Sequence, residues 1–282
     1  MNTLLTKEVI LSEEDFQLIS DIVYKHCRIN LHTGKKELVR ARLAKKLRQG
    51  NFNSFREYLK YVFADKTGRE FSNLIDSLST NLTSFFREKQ HFDFLQDKFL
   101  PTIIERKKKN KDYRIRAWSA GCSSGEEVYS IAITLLEALE GQGQWDVKIL
   151  GSDISTKMLE TARKGYYNAE RVESVPAHQR NKYLLSKGKN NSKVFEVSKT
   201  LKDIVVFRHL NLMESWPLKG PLDFIFCRNV MIYFDKPTQQ NLIDRYWDIL
   251  NSGSVLFTGH SESLTGIKHK YKYVQPTIYM KT

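Results

Sequence analysis

Cysteine is scarce in this chain: Cys27, Cys122 and Cys227 are the only three in 282 residues. An odd number at wide separation gives neither a disulfide framework nor a zinc-binding spacing, which fits a reducing compartment. Long apolar runs are missing as well, none approaching the ~18 residues that would suggest a membrane span. The opening stretch MNTLLTKEVILSEED turns acidic too soon for a secretory signal. Together these absences predict a cytoplasmic chain with no membrane insertion. Acid is also in deficit, with 32 Asp and Glu against 45 Lys and Arg and a net charge of +13. A chain so basic expects an acidic partner: nucleic acid, an anionic membrane or an acidic protein surface. No nucleophilic triad or metal-ligand cluster is visible, and the dinucleotide fingerprint G-x-G-x-x-G is absent.

What is present is ordinary globular material, 41% hydrophobic and 27% charged, and long enough for one large or two smaller domains. The first eighty residues read as helices. Ser12 before Glu13, Glu14 and Asp15 is an N-cap with acid in the first turn, and Phe16, Ile19, Ile22 and Val23 follow at helical spacing to about Cys27. A second helix is predicted from Lys35 to Arg48, stopped by Gly50, with Leu38, Leu43 and Leu47 as its apolar stripe. Its Lys35, Lys36, Arg40, Arg42, Lys45, Lys46 and Arg48 face a single acid, Glu37. A merely solvated helix mixes signs at i,i+4, so this face is either an unusually basic solvent surface or a docking surface for an acidic partner. Ser54 starts a third helix through Tyr58, Val62 and Phe63, and Phe71, Leu74, Ile75 and Leu78 mark a fourth.

Residues 79–92, Ser-Thr-Asn-Leu-Thr-Ser-Phe-Phe-Arg-Glu-Lys-Gln-His-Phe, place Asn81, Thr83 and Ser84 beside two phenylalanines and Arg87. A capped helix start explains the hydroxyls and the aromatics but gives Arg87 no task. A helix over about 88–106 follows, and the basic run 105–111 reads as a solvated linker.

From Arg114 the pattern changes to strand and helix in alternation. Ile115, Ala117 and Trp118 run into the small residues Ser119 to Gly125, and a helix then covers 126–140. Strand, glycine-containing turn and helix let backbone approach a ligand closely. The next strand, Val147–Ile154, ends in Asp153, about 28 residues after Gly125, where an acid in a doubly wound sheet bonds ribose hydroxyls. Glu126 and Glu127 directly follow the turn and would repel a pyrophosphate. The pattern therefore points to a nucleoside cofactor without phosphates, of which S-adenosylmethionine is the common one. Tyr166 to Asp203 breaks the rhythm as a hairpin-like insertion. Strands then resume at 204–212, ending near Asn211, at 222–234, a buried strand running into a loop, and, after a helix at about 238–250, at 254–260; two closing segments at 271–274 and 277–280 suggest an antiparallel hairpin.

Asn81–Arg87, Trp118–Glu127, Asp223–Phe234 and Gly259–Ser263 occur in register over residues 10–280, and in this the chain resembles the chemotaxis receptor methyltransferases, the CheR family. The resemblance implies an α/β fold: a class I S-adenosylmethionine-dependent methyltransferase (Rossmann-like) sheet over residues 81–282, with an inserted β-subdomain at about 166–203. It also implies a small N-terminal helical domain over 1–80 that docks receptors. It implies methyl transfer from S-adenosyl-L-methionine, leaving S-adenosyl-L-homocysteine, to glutamate side chains in the cytoplasmic helical region of chemoreceptors. Asn81, Thr83, Arg87, Glu127, Asp153, Asn211, Leu212, Arg228 and Asn229 would line the cofactor site, with Arg87 near the cofactor carboxylate or the incoming glutamate. Tyr233 would lie beside the methyl. The basic second helix, with Arg40, Lys45 and Lys46, would meet the glutamate-rich receptor, and the enzyme would act as a monomer without a metal. Val128 stands where the family usually has proline, and the turn Lys187–Lys193 has only Gly188, which departs from the receptor-tail tether of some members.

Two other functions compete. A nucleic-acid methyltransferase would suit the charge, but the signature [DN]-P-P-[YF] is replaced by Cys227-Arg-Asn-Val, and no stacking-aromatic module is apparent. A receptor-binding scaffold with a vestigial site would not need Arg87, Glu127 and Asp153 together.

Overall fold

The computed structural model describes residues 9–79, 81–188 and 193–282. The chain forms two compact units. The first takes the chain up to residue 80 together with Tyr233–Asp235; the second takes Asn81–Ile232 and Lys236–Thr282.

Among its described residues the first unit has four α-helices: α1 (Glu13–Cys27), α2 (Lys36–Gln49), α3 (Phe55–Ala64) and α4 (Arg69–Leu78). Two start where capping residues predict. Ser12 Oγ accepts the Asp15 amide at 3.0 Å and Ser54 Oγ that of Glu57 at 3.1 Å, each cap stabilising by about 1 kcal/mol. The apolar stripe of α2 differs from expectation: Val39, Leu43 and Leu47 are buried, while Leu38 is exposed. Steps of four residues from Leu47 lead back to Val39 and rotate Leu38 into solvent. Phe63 of α3 is likewise exposed, and Phe55, Tyr58, Leu59 and Val62 fill the core.

The second unit opens with α5 (Lys89–Phe94), a π turn over Leu95–Phe99 and α6 (Leu100–Lys109). The basic run 105–111 is therefore mostly helix and not a linker. Lys107 is buried and lies 3.0 Å from Asp112 and 3.0 Å from Asp223, so a matched charge deep in the sheet holds the helix end in place.

Strand β1 (Arg114–Ala120), helix α7 (Glu126–Ala138), β2 (Asp146–Asp153) and α8 (Thr156–Lys164) follow in turn. Ser155 caps α8 and Gly165, at φ 65°, ends it. The insertion carries β3 (Tyr166–Asn168), α9 (Ala177–Tyr183), β4 (Leu184–Lys187), β5 (Val194–Val197) and α10 (Lys199–Ile204). Its strands form an antiparallel sheet in the order β3-β5-β4. The sheet thus extends the expected hairpin by one strand, and the tip of the Lys187–Lys193 turn lies outside the described residues. β6 (Val205–His209), β7 (Leu222–Cys227), α11 (Lys236–Ile249), β8 (Leu250–Thr258), β9 (Lys272–Gln275) and β10 (Ile278–Met280) complete the chain.

The large sheet runs β6-β2-β1-β7-β8-β10-β9. Its first five strands are parallel, and β10 and β9 close it antiparallel. Parallel strands covered on both faces read as apolar runs, and every residue of β7 is buried. The strand order reverses between β1 and β7, the position where open α/β sheets bind ligands at their carboxyl ends.

Candidate active site

The turn after β1 is tied down from beneath. Gly121 and Cys122 both donate their amides to the Ser152 carbonyl, at 2.8 and 2.9 Å, and the Ser123 amide donates to Asp153 Oδ2 at 2.7 Å. Asp153 Oδ1 accepts the Ser155 amide at 2.9 Å. One buried carboxylate therefore clamps the turn after β1 to the turn after β2. Gly121 and Gly125 lie at φ 89° and 97°, where a side chain strains the backbone. A Cβ on Gly125 would also come within 2.8 Å of Ala162. Three amides that could face a phosphate are used inside the fold, so the turn is not a phosphate cradle.

The two glutamates after the turn diverge. Glu126 is fully buried, accepts from Ser124 Oγ at 2.7 Å and lies 2.9 Å from Arg171 of the insertion. Its partners give it a structural task, tying the turn to the insertion. Glu127 accepts from Ser119 Oγ at 2.7 Å and lies 3.3 Å from Arg228. Burial pushes its carboxyl up from the usual range, while Arg228 and Ser119 pull it back. Arg228, at the end of β7, has a side chain only 1% exposed and also lies 3.2 Å from Glu88. Its Nη2 donates to the Arg87 carbonyl at 2.5 Å.

Residues 81–88 pack onto the same carboxyl end. The Asn81 carbonyl accepts from Ser123 Oγ at 3.0 Å, and the Phe86 amide donates to Ser130 Oγ at 2.9 Å. Arg87 Nη1 donates to the Leu82 carbonyl at 2.7 Å. Thr83 is partly exposed within this stretch. Asn211 and Leu212, just past β6, are buried; Asn211 Oδ1 accepts the Met213 amide at 3.1 Å, and the Leu212 carbonyl accepts from Arg245 at 2.6 Å. Asn229 sits at φ 60°. Its loop is held by Glu262, a buried carboxylate accepting the amides of Gly259, Asn229 and Ile232 at 2.6, 2.7 and 3.2 Å. Sequence reasoning missed Glu262 and Glu88 as members of this site. The signal for Glu262 was its place in Gly259-His-Ser-Glu, three residues after the glycine whose Cβ would collide with Asn229.

A clamped turn and a ring of buried charges at a parallel sheet's carboxyl ends fit the expected chemistry, and comparison with known proteins names it. The model of the CheR methyltransferase SAM-binding domain matches residues 81–280, and that of the CheR all-alpha domain matches residues 14–79. The chain belongs to the CheR methyltransferase family. Similar proteins include the chemotaxis protein methyltransferase of Borreliella burgdorferi, 41% identical and covering 96% of this chain and 95% of its own. Chemotaxis protein methyltransferase 2 of Pseudomonas aeruginosa is also 41% identical, over 97% and 95% of the two chains. The Escherichia coli chemotaxis protein methyltransferase is 36% identical over 98% and 93%.

As a CheR-family protein, the chain is an S-adenosylmethionine-dependent methyltransferase of chemotaxis. Its donor set fits that cofactor: carboxylates suited to hydroxyl and ammonium groups, and a turn whose amides are withheld from phosphate. Tyr233 groups with the helical unit, where its carbonyl accepts the Asn30 amide at 2.7 Å and Lys35 Nζ lies 5.4 Å from its ring. Arg40, Lys45 and Lys46 belong to that unit as well; Arg40 pairs with Glu37 at 2.8 Å, Lys45 is exposed and Lys46 half-buried. Cys122 and Cys227 are buried, and burial raises both thiols well above their usual range, so neither is poised as a thiolate. Among the described residues Glu88, His91 and His260 could supply metal ligands within 4.8 Å of one another. Arg228 already brings a cation to 3.2 Å from the same Glu88 oxygen, which a metal would have to displace.

Proposed function

We propose that this methyltransferase esterifies glutamate side chains in the cytoplasmic, glutamate-rich helices of chemoreceptors, acting in the cytoplasm. The observation carrying the proposal is the charge arrangement: a buried, matched network at the sheet's carboxyl end and a basic helix, α2, with a single acid. Glu127 and Asp153 are assigned to the adenosine ribose side, and Asn81, Thr83, Asn211, Leu212, Arg228 and Asn229 to the rest of the cofactor's surroundings. When bound, S-adenosylmethionine supplies an electrophilic methyl group on a sulfonium.

A glutamate side chain has an ordinary pKa of about 4.3 and is anionic at neutral pH, so its attack needs no general base. One carboxylate oxygen forms the new O–C bond as the S–C bond breaks, and the sulfur keeps that electron pair in S-adenosylhomocysteine. The task left to the protein is alignment of oxygen, methyl and sulfur. Arg87 is assigned to an anionic carboxylate, of cofactor or substrate, and Tyr233 to the methyl. Arg40, Lys45 and Lys46 are assigned to the acidic receptor helix.

The test is chemical. Protein, radiolabelled S-adenosylmethionine and receptor fragments are incubated, and the product is treated with alkali. Methyl esters release volatile methanol, and this reading predicts that receptor label leaves in that form. Alkali-stable label, or label found only on RNA, would contradict it.

A further inference from the structure

The buried Arg228 serves two carboxylates, and only Glu127 has so far been given a part. Glu88 is the other. Its Oε2 lies 3.3 Å from Arg228 Nε and 3.2 Å from Nη2, and its Oε1 accepts the His260 amide at 3.4 Å. The side chains of Arg228, Glu88 and Glu127 are 1%, 8% and 13% exposed, so solvent screens this triad little. Arg228 is held more firmly on the Glu88 side. There Nε and Nη2 face the carboxylate, and Nη2 also donates to the Arg87 carbonyl. On the other side Nη1 stands 3.3 Å from Glu127 without making a hydrogen bond.

The backbone gives a second, independent observation. Phe86 and Glu88 sit at φ 51° and 57°, left-handed conformations that cost a residue with a side chain about 1–3 kcal/mol each. The Phe86 amide bond to Ser130 and the Arg87 carbonyl bond to Arg228 fasten the stretch between them. A strained segment fastened in this way places the Glu88 carboxylate against a guanidinium that the sheet already buries.

We propose that Glu88 is a positioning residue for the methyltransferase: by holding Arg228 back, it keeps Glu127 Oε2 available to the cofactor while Ser119 holds Oε1. This rests on Glu127 as the ribose-side ligand. Without the Glu88 charge, Arg228 turns fully onto Glu127, and a hydrogen-bonded ion pair takes up the oxygen that the cofactor needs. Glu88 would then govern cofactor affinity without touching the cofactor.

The test is a double-mutant cycle read by calorimetric titration of S-adenosylhomocysteine, with melting temperature followed in parallel. Glu88→Gln is expected to weaken binding about tenfold at a melting temperature close to that of the parent, and Glu88→Asp to recover to within about threefold. In an Arg228→Met background, Glu88→Gln is expected to add less than about twofold. If that background does not fold, Arg228→Lys replaces it, since a lysine is a point charge without the fork that spans two carboxylates. Unchanged affinity in Glu88→Gln, or an undiminished effect in the Arg228 background, overturns the proposal. Glu127→Gln run alongside separates the two assignments. Weak binding there with unchanged Glu88→Gln removes only the role of Glu88. Unchanged binding in Glu127→Gln removes the ribose-side assignment and the present proposal with it.

Discussion

The carboxyl end of the large sheet and the basic face of α2 handle charge in opposite ways. At the sheet, Glu126, Glu127, Asp153, Arg228 and Glu262 are buried or nearly so, and each meets partners across the fold. On α2, basic residues outnumber the helix's one acid, Glu37; Lys36 pairs with Glu13 and Arg40 with Glu37 in partly exposed positions, and Lys45 is exposed. Charges withdrawn from water must be matched within the chain, or the fold loses several kcal/mol. Charges left in water need no buried match to be tolerated, and an exposed one such as that of Lys45 can meet an acidic surface. This contrast is what the proposed function asks for: a fixed cofactor site at the sheet end and, on the helix face, a surface for an acidic receptor.

The greatest damage should follow from Glu262→Ala, which strips three amides of one buried acceptor. At roughly 1–3 kcal/mol for each unsatisfied group, a loss of about 3 kcal/mol or more is expected, read as a lower midpoint in urea. Next comes Glu127→Gln. A hydrogen bond to a charged group contributes roughly 1.5–3 kcal/mol, so cofactor affinity should fall by about tenfold to a hundredfold with the fold intact.

A pH titration sharpens the same contrast. Burial raises the Glu127 pKa, so as pH falls this carboxylate is protonated sooner than an ordinary one. Cofactor affinity should decline in mild acid, and that decline should be missing in Glu127→Gln. His91 is shifted the other way, and its effect is on stability. Burial and Arg228 lower its pKa from 6.5 to about 3, so the unfolded chain takes a proton that the native state refuses. Stability is then lost progressively as pH falls from about 6.5 towards about 3, and His91→Phe should flatten that part of the stability profile measured by chemical unfolding.

The smallest effects belong to α2. Lys45→Glu with Lys46→Glu should slow methylation of receptor fragments by about threefold to tenfold, given about 1 kcal/mol or less for each exposed charge. The loss should shrink as salt is raised. An effect that ignores salt would break the comparison, because it would place these lysines outside an electrostatic contact.

Much of the frame was legible in the sequence, because its signals are local. Ser12 and Ser54 announce their helices through bonds to amides three residues on, and Gly165 ends α8 at a φ that favours glycine. The alternation of apolar runs and helices from Arg114 gave the parallel sheet, and the closing antiparallel hairpin followed from the missing helix. The site was legible only as a set of residues at strand ends. The partners that make it work are far apart in the chain: Arg228 and Glu88 are separated by 140 residues, and Asn229 and Glu262 by 33. Lys107 is a case of the same kind: Asp112 is near it in sequence, but Asp223, the partner buried in the sheet, lies on β7. On α2, Leu38 and Val39 differ by one position, about 100° of helix, and only packing decides which of them faces the core.

The division of labour between the two charged regions can be tested in one calorimetric experiment: S-adenosylmethionine titrated into the parent protein, Glu127→Gln and the Lys45→Glu/Lys46→Glu pair. Binding is expected to weaken by about tenfold or more in Glu127→Gln and to stay unchanged in the lysine pair. Parent-like affinity in Glu127→Gln, or a comparable loss in the lysine pair, would contradict it.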